Sequence, residues 1–438
     1  MTGRLATRLP GGATVVALAF VMGLDAGDQA SIGSTAPEVR AAFGIGSTQI
    51  GLLATASTVV GVVLTLPFGV LADRANRIGL LRNVVLLWTV AMIGVGAAPG
   101  YGWMLAGQCV VGIVTGAGGP LIASLVGDLV PRVQRGRVYS TLLIGELAGA
   151  ALGTGLAGEV AAVANWRVAF WLLAVLGLVT FGFLTRAPEP ERIGTPAPRR
   201  RPLTSRRGAP PPGGDPAVMP LGQALLVLVR IPTNVILVVA SSLGYFYFTG
   251  VQTFGVSLLI EDYGVAKGVA PLLVLLVGAS LAVGVLIGGP IGDRLTQRGV
   301  RLGRLYTVLV AFVGSTAFIV PALSLTDIWA TMPLLITAGV LLGSANPPLD
   351  ASRIDIVPHW LLGRAEAVRT ALRDGADATA PVVFGAVGAA RGLRPTFLLM
   401  TIALGAAAGL GLGALRTYSA DAGRVERDER ADPAASSV

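Results

Sequence analysis

Cysteine, histidine and lysine are nearly missing from this chain of 438 residues. Cys109, His359 and Lys267 are single representatives of their residue types. One cysteine excludes a disulfide within the chain and a cysteine-rich zinc site, and a lone histidine supports neither a metal centre nor a base for a nucleophile. No glycine-rich loop is followed by the lysine of an ATP-binding loop. We therefore expect no metal, no cofactor and no enzymatic activity.

Charged side chains are also scarce, at 13% of the residues, whereas 53% are hydrophobic and the mean hydropathy is +0.73. A water-soluble domain of this size does not have such a composition. The net charge of +9 comes from arginines in short clusters between apolar runs, unlike the basic face of a nucleic-acid-binding module. The composition predicts a multi-pass membrane protein, and its arginine, alanine and glycine usage is typical of a GC-rich bacterium and hence of a bacterial inner membrane.

Apolar runs long enough to cross a hydrocarbon core of ~30 Å recur along the chain. Between charged or Pro/Gly-rich breaks they predict six spans at 13–34, 48–71, 80–97, 101–125, 139–161 and 167–185. Six more are predicted at 232–257, 269–292, 303–322, 328–347, 366–389 and 394–415. The expected fold class is an all-α membrane protein of about twelve transmembrane helices in two pseudo-symmetric six-helix bundles.

The predicted domains are an N-terminal bundle at 1–186 and a C-terminal bundle at 222–417. Residues 187–221, rich in proline and arginine, are interpreted as a flexible linker, and the charged tail 418–438 is expected to be disordered. Basic residues concentrate in every second connection and in the linker. By the positive-inside rule these connections and both termini are cytoplasmic.

A short motif occurs at the same place in each set of six spans. Its spacing, Gly-x3-Asp-Arg followed by a second arginine, is met after the second span and again after the eighth. The residues are Gly69, Asp73, Arg74 and Arg77, and then Gly289, Asp293, Arg294 and Arg298. Internal duplication with the substrate site between the halves is the general plan of secondary carriers.

This motif resembles the signature loop of the major facilitator superfamily, and within it the chain is most similar to the spinster branch, whose members include lipid and lysolipid transporters. The shared features are Asp28 with Pro37, Gly51 to Leu53, Gly112 with Asp128 to Pro131, Arg135 to Arg137, Trp166 and Arg167 with Phe170, Gly244 and Tyr245 with Thr249 and Gly250, and Asp377 with Pro381. The resemblance implies that the two signature loops act as a cytoplasmic gate that stabilises the outward-open state.

Three positions depart from that branch. The resemblance implies arginine after the aspartate of the first span, and an arginine and a glutamate in the fourth span, but this chain has Gln29, Gln108 and Thr115. The aspartate Asp28 is kept while its charged neighbours are neutral. Proton coupling through the family's acid and arginine network is therefore an open question for this chain.

Two acids in the first span are the main candidates for ion coupling. A charge at the centre of a membrane helix costs roughly 2.5 to 3.5 kcal/mol, so an acid found there usually faces a cavity and has a function. Asp25 and Asp28 are three residues apart and lie on one helical face. Burial and mutual repulsion both favour protonation of such a pair. The alternative is a wetted, structural position near the outer end of the span.

Glu146 in the fifth span is a further acid, flanked by Gly145, Gly149 and Gly153, which permit close helix packing. It either replaces the missing glutamate of the fourth span or extends to water at the cytoplasmic interface. Asp374 and Asp377 in the eleventh span either take part in gating and coupling or form structural ion pairs with Arg369 or Arg373.

The remaining candidates define a substrate class. No arginine or lysine is predicted at the middle of a span, which disfavours a strongly anionic substrate. Apolar walls with a few polar groups suit an amphiphilic neutral, zwitterionic or cationic molecule, although each of these side chains alone is equally compatible with packing. The residues expected to line the substrate cavity are Gln29, Gln108, Thr115, Tyr245, Tyr247, Thr249, Gln252 and Thr253.

The sequence thus predicts a monomeric secondary transporter in which Asp28, helped by Asp25, binds a proton or a cationic group in exchange for substrate, with export favoured. Two alternatives stay open: a multidrug or metabolite proton antiporter outside the spinster branch, and a non-transporting membrane receptor with the carrier fold. Gly153 to Gly158 spell a dinucleotide-binding pattern, but they lie within an apolar span without a preceding strand and are interpreted as a packing face.

Overall fold

Long helices account for nearly all of the chain that the computed structural model describes, which comprises residues 12–72, 76–129, 135–187, 189, 226–357 and 361–431. Within these ranges there is no strand. Five of the first six helical passages are α1 Gly12–Phe43, α2 Ser47–Ala72, α3 Arg77–Gly96, α4 Tyr101–Leu129 and α6 Trp166–Leu184. Between α4 and α6, helix α5 consists of Arg135–Ala151, a π-helical turn Leu152–Leu156, and Ala157–Val163.

The second set begins after the predicted linker. It consists of α7 Pro232–Tyr263, α8 Ala270–Gln297, α9 Gly303–Ser324, α10 Ile328–Ser344 with a short following helix Asn346–Ile354, α11 Leu362–Arg391 and α12 Leu393–Ala431. The prediction of an all-α chain with about twelve helices is confirmed.

Ten of these helices in the described ranges are long and apolar enough to cross a membrane. The other two, α5 and α11, have identifiable reasons for falling outside that set. The π-helical turn divides α5 into shorter pieces, and α11 contains seven charged residues, among them Arg373 and Asp377. Charges within a transmembrane passage are rare and usually functional, which directs attention to α11.

The first helix of each set repeats the same local design. Both α1 and α7 have 32 residues, and each is followed by a glycine with φ of 64°, Gly44 or Gly264. A left-handed residue at this position ends a helix and is strained for any residue with a side chain. The repeat seen in the signature loops therefore extends to helix length and helix termination.

Close packing between the second and fourth helices is also repeated. Gly112 of α4 lies against Ser57 and Val60 of α2, where a Cβ atom would come within 2.7 Å of Val60 Cβ. In the second set Gly288 of α8 lies against Ser344 of α10, with a Cβ position 2.6 Å from Ser344 Cα. Small residues at these contacts let the helix backbones approach, which is the usual basis of helix association in membranes.

The chain divides into two compact units. The first contains residues up to Leu203 together with Gly250–Leu275 and Ala378–Leu393, and the second contains Thr204–Thr249, Leu276–Asp377 and the residues from Arg394 onward. Parts of α7, α8 and α11 thus pack with the first six helices. The domain boundaries at 186 and 222 stay predictions based on the sequence repeat.

The prediction of a disordered tail at 418–438 was wrong for residues 418–431. The helix α12 runs to Ala431, and buried Asp421 accepts hydrogen bonds from the Thr233 backbone N and Oγ1 at 3.1 and 2.6 Å. Composition does not reveal such a contact, which holds the tail as a helical extension of α12. Residues 432–438 and almost all of the predicted linker 187–221 lie outside the described residues.

Candidate functional site

The acid pair of α1 lies near the middle of that helix. Asp28 is 1% exposed, and Asp25, one turn earlier, is half-buried. On the face next to this pair, Gly23 and Gly27 of α1 contact the backbone of α5 at Gly145, Gly149 and Gly153. The small residues of both helices bring α5 close to the acids, and the pattern Gly153 to Gly158 is a packing face, as predicted.

Helix α4 provides the hydrogen-bond partners of both acids. Thr115 Oγ1 donates to Asp25 Oδ1 at 2.7 Å, and Gln108 Nε2 lies 3.4 Å from Asp28 Oδ1. Gln29, on α1 itself, donates to Asp25 Oδ2 at 3.2 Å. The three positions that depart from the spinster pattern are therefore the three that contact the acids. Among the described residues, no lysine or arginine forms an ion pair with Asp25 or Asp28.

Glu146 adds a third carboxylate beside this group. It is half-buried on α5 and close enough to Asp25 for the two charges to interact. The structure thus places a third acid next to Asp25, and its replacement of the missing glutamate of the fourth span stays a prediction. We call Asp25, Asp28, Gln29, Gln108, Thr115 and Glu146 the α1–α4–α5 cluster.

A second cluster lies in the other compact unit, where α11 meets α7. Thr249 Oγ1 donates to Asp377 Oδ1 at 2.7 Å. Arg373 Nε lies 3.7 Å from Asp377 Oδ2 and 3.8 Å from Asp374 Oδ1, and its guanidinium carbon lies 4.8 Å from the centre of the Tyr245 ring. We call these five residues the α7–α11 cluster.

Arg373 lies in the N-terminal half of α11, with two carboxylates and an aromatic face around it, and its side chain is 36% exposed. Of the two basic partners that the sequence offers for these acids, the structure shows Arg373 beside them. Arg369 has other partners, Glu366 and Asp350.

The other residues on α7 that were predicted to line the substrate cavity are Tyr247, Gln252 and Thr253, and they pack against other helices. Tyr247 is 3% exposed and packs edge-on against Phe397, with ring centres 6.2 Å apart, so it is a core aromatic. Thr253 is buried and Gln252 half-buried. The backbone of both residues lies against Gly33 of α1 so closely that a Cβ atom on Gly33 would collide with the Gln252 carbonyl.

The first signature loop is only partly described, because Asp73 and Arg74 lie outside the described residues and Gly69 is within helix α2. Arg77 is 1% exposed, and its Nε donates to Glu189 Oε1 at 3.0 Å. Glu189 also accepts from the backbone N of Ile78 at 2.7 Å, which caps the start of α3 with a negative charge. Arg77 therefore joins α3 to the segment after α6.

The second signature loop has an ion pair across the loop. Asp293 Oδ1 accepts from Arg304 Nε at 2.8 Å, and Arg304 Nη1 donates to Asp355 Oδ2 at 2.6 Å. Tyr418 of α12 donates to the same Asp355 oxygen at 2.8 Å. The partner is Arg304 of α9, whereas the motif residues Arg294 and Arg298 are exposed. Gly289 lies against Pro347.

Contacts at the opposite helix ends were missed by the sequence. We call this end, where α1 ends at Phe43, the distal end. Arg40 forms an ion pair with Glu261 of α7, and Lys267 Nζ lies 3.0 Å from Glu38 Oε1. Thr55 of α2 donates to the Ala378 carbonyl of α11 at 2.7 Å. All these residues belong to the first compact unit, so its distal end joins α1 and α2 to parts of α7 and α11. The partners Arg40 and Glu261 are 221 residues apart in the sequence, so no local pattern indicates their contact.

Comparisons with known proteins agree with this architecture. Protein spinster of Drosophila melanogaster is 27% identical over 180 residues, which are 41% of this chain and 30% of the fly protein. Multidrug resistance protein MdtG of Dickeya zeae is 26% identical over 341 residues, 76% of each chain. This chain therefore spans less than a third of the length of its fly relative but most of the bacterial one.

Solved structures share the fold at low sequence identity. A bacterial homologue of the human lysosomal transporter Spinster, solved in an inward-facing and unoccupied conformation, superposes with a TM-score of 0.77 at 16% identity over 94% of this chain and 98% of that one. The profile of the Major Facilitator Superfamily matches residues 18–365. With the twelve helices and the repeated signature loops, these matches show that the chain belongs to the Major Facilitator Superfamily and is a transporter most similar to the spinster branch.

Proposed function

We propose that this protein is an ion-coupled secondary transporter that moves an amphiphilic molecule, lipid-like or a hydrophobic drug, across the bacterial inner membrane by alternating access. The observation that carries the proposal is the burial of Asp28 among neutral polar partners in the α1–α4–α5 cluster. A carboxylate kept within a membrane helix without a fixed counterion is expected to bind a mobile positive charge during the transport cycle.

The cluster supports coupling because no basic side chain among the described residues forms an ion pair with its two acids in α1. Asp25 adds negative charge beside Asp28 and Glu146 adds it beside Asp25, while the nearby Gln29 and Thr115 are neutral donors. Binding a proton or a cation lowers the cost of holding these acids in a low-dielectric interior. An ion gradient would then shift the population between conformations that bind this charge with different affinity.

The substrate class follows from the polarity of the candidate residues. In the α7–α11 cluster the positive charge of Arg373 is shared with Asp374 and Asp377, so a strongly anionic substrate has to compete with two carboxylates. The remaining wall is neutral, with Tyr245 and Thr249 half-buried. A site with apolar surface and few polar groups fits an amphiphile.

Alternating access is supported by weak contacts at the distal end. Two partly exposed ion pairs and a hydrogen bond join α1 and α2 to α7, to the connection between α7 and α8, and to α11 there. Such contacts are individually worth about 0–1 kcal/mol, so they can separate and form again in each cycle.

We place the signature loops, the linker and both termini in the cytoplasm. Labelling of a cysteine introduced at Ser205 in a Cys109→Ala background, with the reagent added on one side of the membrane or the other, tests this orientation.

Transport in proteoliposomes tests the function. The purified protein should take up or release a lysolipid or a lipophilic cation, and an imposed ion gradient should accelerate this transport. Asp28→Asn should reduce the gradient-driven rate at least ~100-fold, because the amide cannot bind the charge, while exchange of substrate at equal ion concentrations continues. Gln297→Leu, at the exposed end of α8, is the matched control. Unchanged gradient dependence in Asp28→Asn would remove this acid from the mechanism.

A second candidate function is multidrug export. The match to MdtG covers 76% of this chain, more than the match to the fly spinster protein. The two candidates differ in selectivity: a multidrug transporter moves several unrelated lipophilic cations, whereas a lipid transporter requires the acyl chain. Binding of substrates without net movement in the same liposomes would instead favour a membrane receptor with the carrier fold.

A further inference from the structure

The α1–α4–α5 cluster has the composition of a site for an alkali cation. Asp28 and Gln108 are 1% and 0% exposed, and Asp25 lies on the same face of α1. In the part of the chain with described coordinates, the hydrogen-bond partners of both acids are amides and a hydroxyl, and no basic side chain pairs with either of them. Buried negative charge of this kind needs a compensating positive charge.

Gln108 provides a second, independent observation. Its Oε1 is buried and has no hydrogen-bond donor, while its Nε2 is 3.4 Å from Asp28 Oδ1, at the long limit of a hydrogen bond. Exchanging the amide oxygen and nitrogen, which are assigned from such contacts, does not by itself solve the problem, because two acceptor oxygens would then face each other. In that exchanged orientation a cation between Gln108 and Asp28 satisfies both oxygens.

The available ligand atoms define the ion. Carboxylate and amide oxygens are ligands for hard cations and are poor ligands for soft transition metals. Among the described residues no three histidine, cysteine, aspartate or glutamate side chains are placed to hold a metal ion together, whereas Ca²⁺ usually takes several carboxylates. An arginine at position 29 or 108 would fill the site with fixed charge, and the glutamines found there leave it open to a mobile ion.

We infer that Asp28, Asp25 and Gln108 form a sodium-binding site, with Thr115 as a positioning residue that holds the Asp25 carboxylate through its hydrogen bond of 2.7 Å. This inference rests on the proposed function in so far as it names the coupling ion. The sodium ion neutralises the acids in the conformation that binds it. A sodium gradient, more than a proton gradient, then drives the conformational cycle.

Sodium binding to the purified protein in detergent tests this without any substrate. Radioactive sodium binding and the Tm are measured in NaCl against choline chloride at equal ionic strength and at pH 8. We expect saturable binding and a Tm that rises with sodium in the unmodified protein. Asp28→Asn should abolish both, and Gln108→Leu should weaken sodium affinity roughly tenfold or more, the usual effect of losing a ligand or its support. Gln108→Glu, which keeps an oxygen, should retain binding, and Gln297→Leu is the control.

Thr115→Val separates a positioning role from general damage. It should weaken sodium affinity while the Tm in choline chloride stays unchanged, because the valine keeps the side-chain volume and removes the hydrogen bond. No saturable sodium binding by the unmodified protein, or binding that Asp28→Asn and Gln108→Leu leave intact, would overturn the inference. Proton-driven transport without sodium binding would overturn the inference and leave the proposed function standing. Sodium binding without any transport would support the inference and contradict the proposed function.

Discussion

Asp28 on α1 and Asp377 on α11 are both carboxylates within membrane helices, but their charges are balanced in different ways. Asp377 has Arg373 at 3.7 Å and accepts a hydrogen bond from Thr249. Asp28 is more deeply buried, and within the described part of the chain its carboxylate has the neutral Gln108 as its hydrogen-bond partner. One cluster contains its own counterion and the other does not.

This difference indicates that the two clusters have different roles in transport. A fixed ion pair holds the same charge throughout a conformational cycle and therefore contributes to structure and substrate orientation. An acid without a fixed partner changes its energy when a proton or cation binds, and it can therefore transmit an ion gradient to the conformation. The two clusters should respond oppositely when a carboxylate is replaced by its amide.

The largest effect is expected from comparing these amide substitutions directly. In sodium-free buffer at pH 9, Asp28→Asn should stabilise the protein by about 2 kcal/mol, because it removes a buried charge that has no counterion among the described residues. Asp377→Asn should destabilise it, because Arg373 loses a counterion. The Tm of each variant in detergent measures both effects. Asp28→Asn with a lowered Tm under these conditions would contradict the proposed difference between the clusters.

A somewhat smaller effect is expected when the fixed counterion itself is removed. Arg373→Leu leaves Asp374 and Asp377 without a positive partner and removes the contact with Tyr245. Since these carboxylates are 32% and 23% exposed, solvent screens part of the loss, and we expect a destabilisation of about 1–2 kcal/mol.

A double-mutant cycle sharpens this expectation. If Arg373 and Asp377 are coupled, the double variant Arg373→Leu with Asp377→Asn should be more stable than the sum of the two single changes indicates. Additive effects would show that the 3.7 Å approach has no energetic consequence. Gradient dependence of transport should persist in all three variants, because the coupling charge is assigned to Asp28.

The sequence predicted the elements that depend on composition and period. Twelve apolar runs, the repeated Gly-x3-Asp-Arg loops and the acids at 25, 28 and 377 are visible without coordinates, because membrane helices and buried charges have strong local signatures. The resemblance to the spinster branch marked Gln29, Gln108 and Thr115 as unusual, and the structure places all three against Asp25 or Asp28.

Contacts between residues distant in sequence were not predictable in this way. Arg304 gives no local signal beyond its place in a basic loop, and its pairing with Asp293 depends on how α8 and α9 meet. Arg373 was one of two basic partners open to Asp377, and its position over the Tyr245 ring depends on how α11 meets α7. The tail was predicted to be disordered from its charge, and one buried acid, Asp421, was sufficient to change that outcome.

The smallest effect is expected at the distal end, where fixed ion pairs are exposed to solvent. Arg40 and Glu261 are 26% and 40% exposed, so their attraction is worth about 0.2–1 kcal/mol and is screened by salt. In a Cys109→Ala background, Arg40→Glu should increase maleimide labelling of a cysteine placed at buried Ser34 by up to about fivefold, which corresponds to ~1 kcal/mol.

Reversing both charges distinguishes this ion pair from general damage. Arg40→Glu combined with Glu261→Arg restores opposite charges and should return labelling at Ser34 to the original rate, and 1 M NaCl should remove the difference between all variants. Equal labelling of every variant at low salt would exclude the pair as a contact that closes this end. Because charges at the distal end keep their partners in water, their removal shifts the balance between conformations slightly, whereas removal of the buried charge at Asp28 changes what drives the cycle.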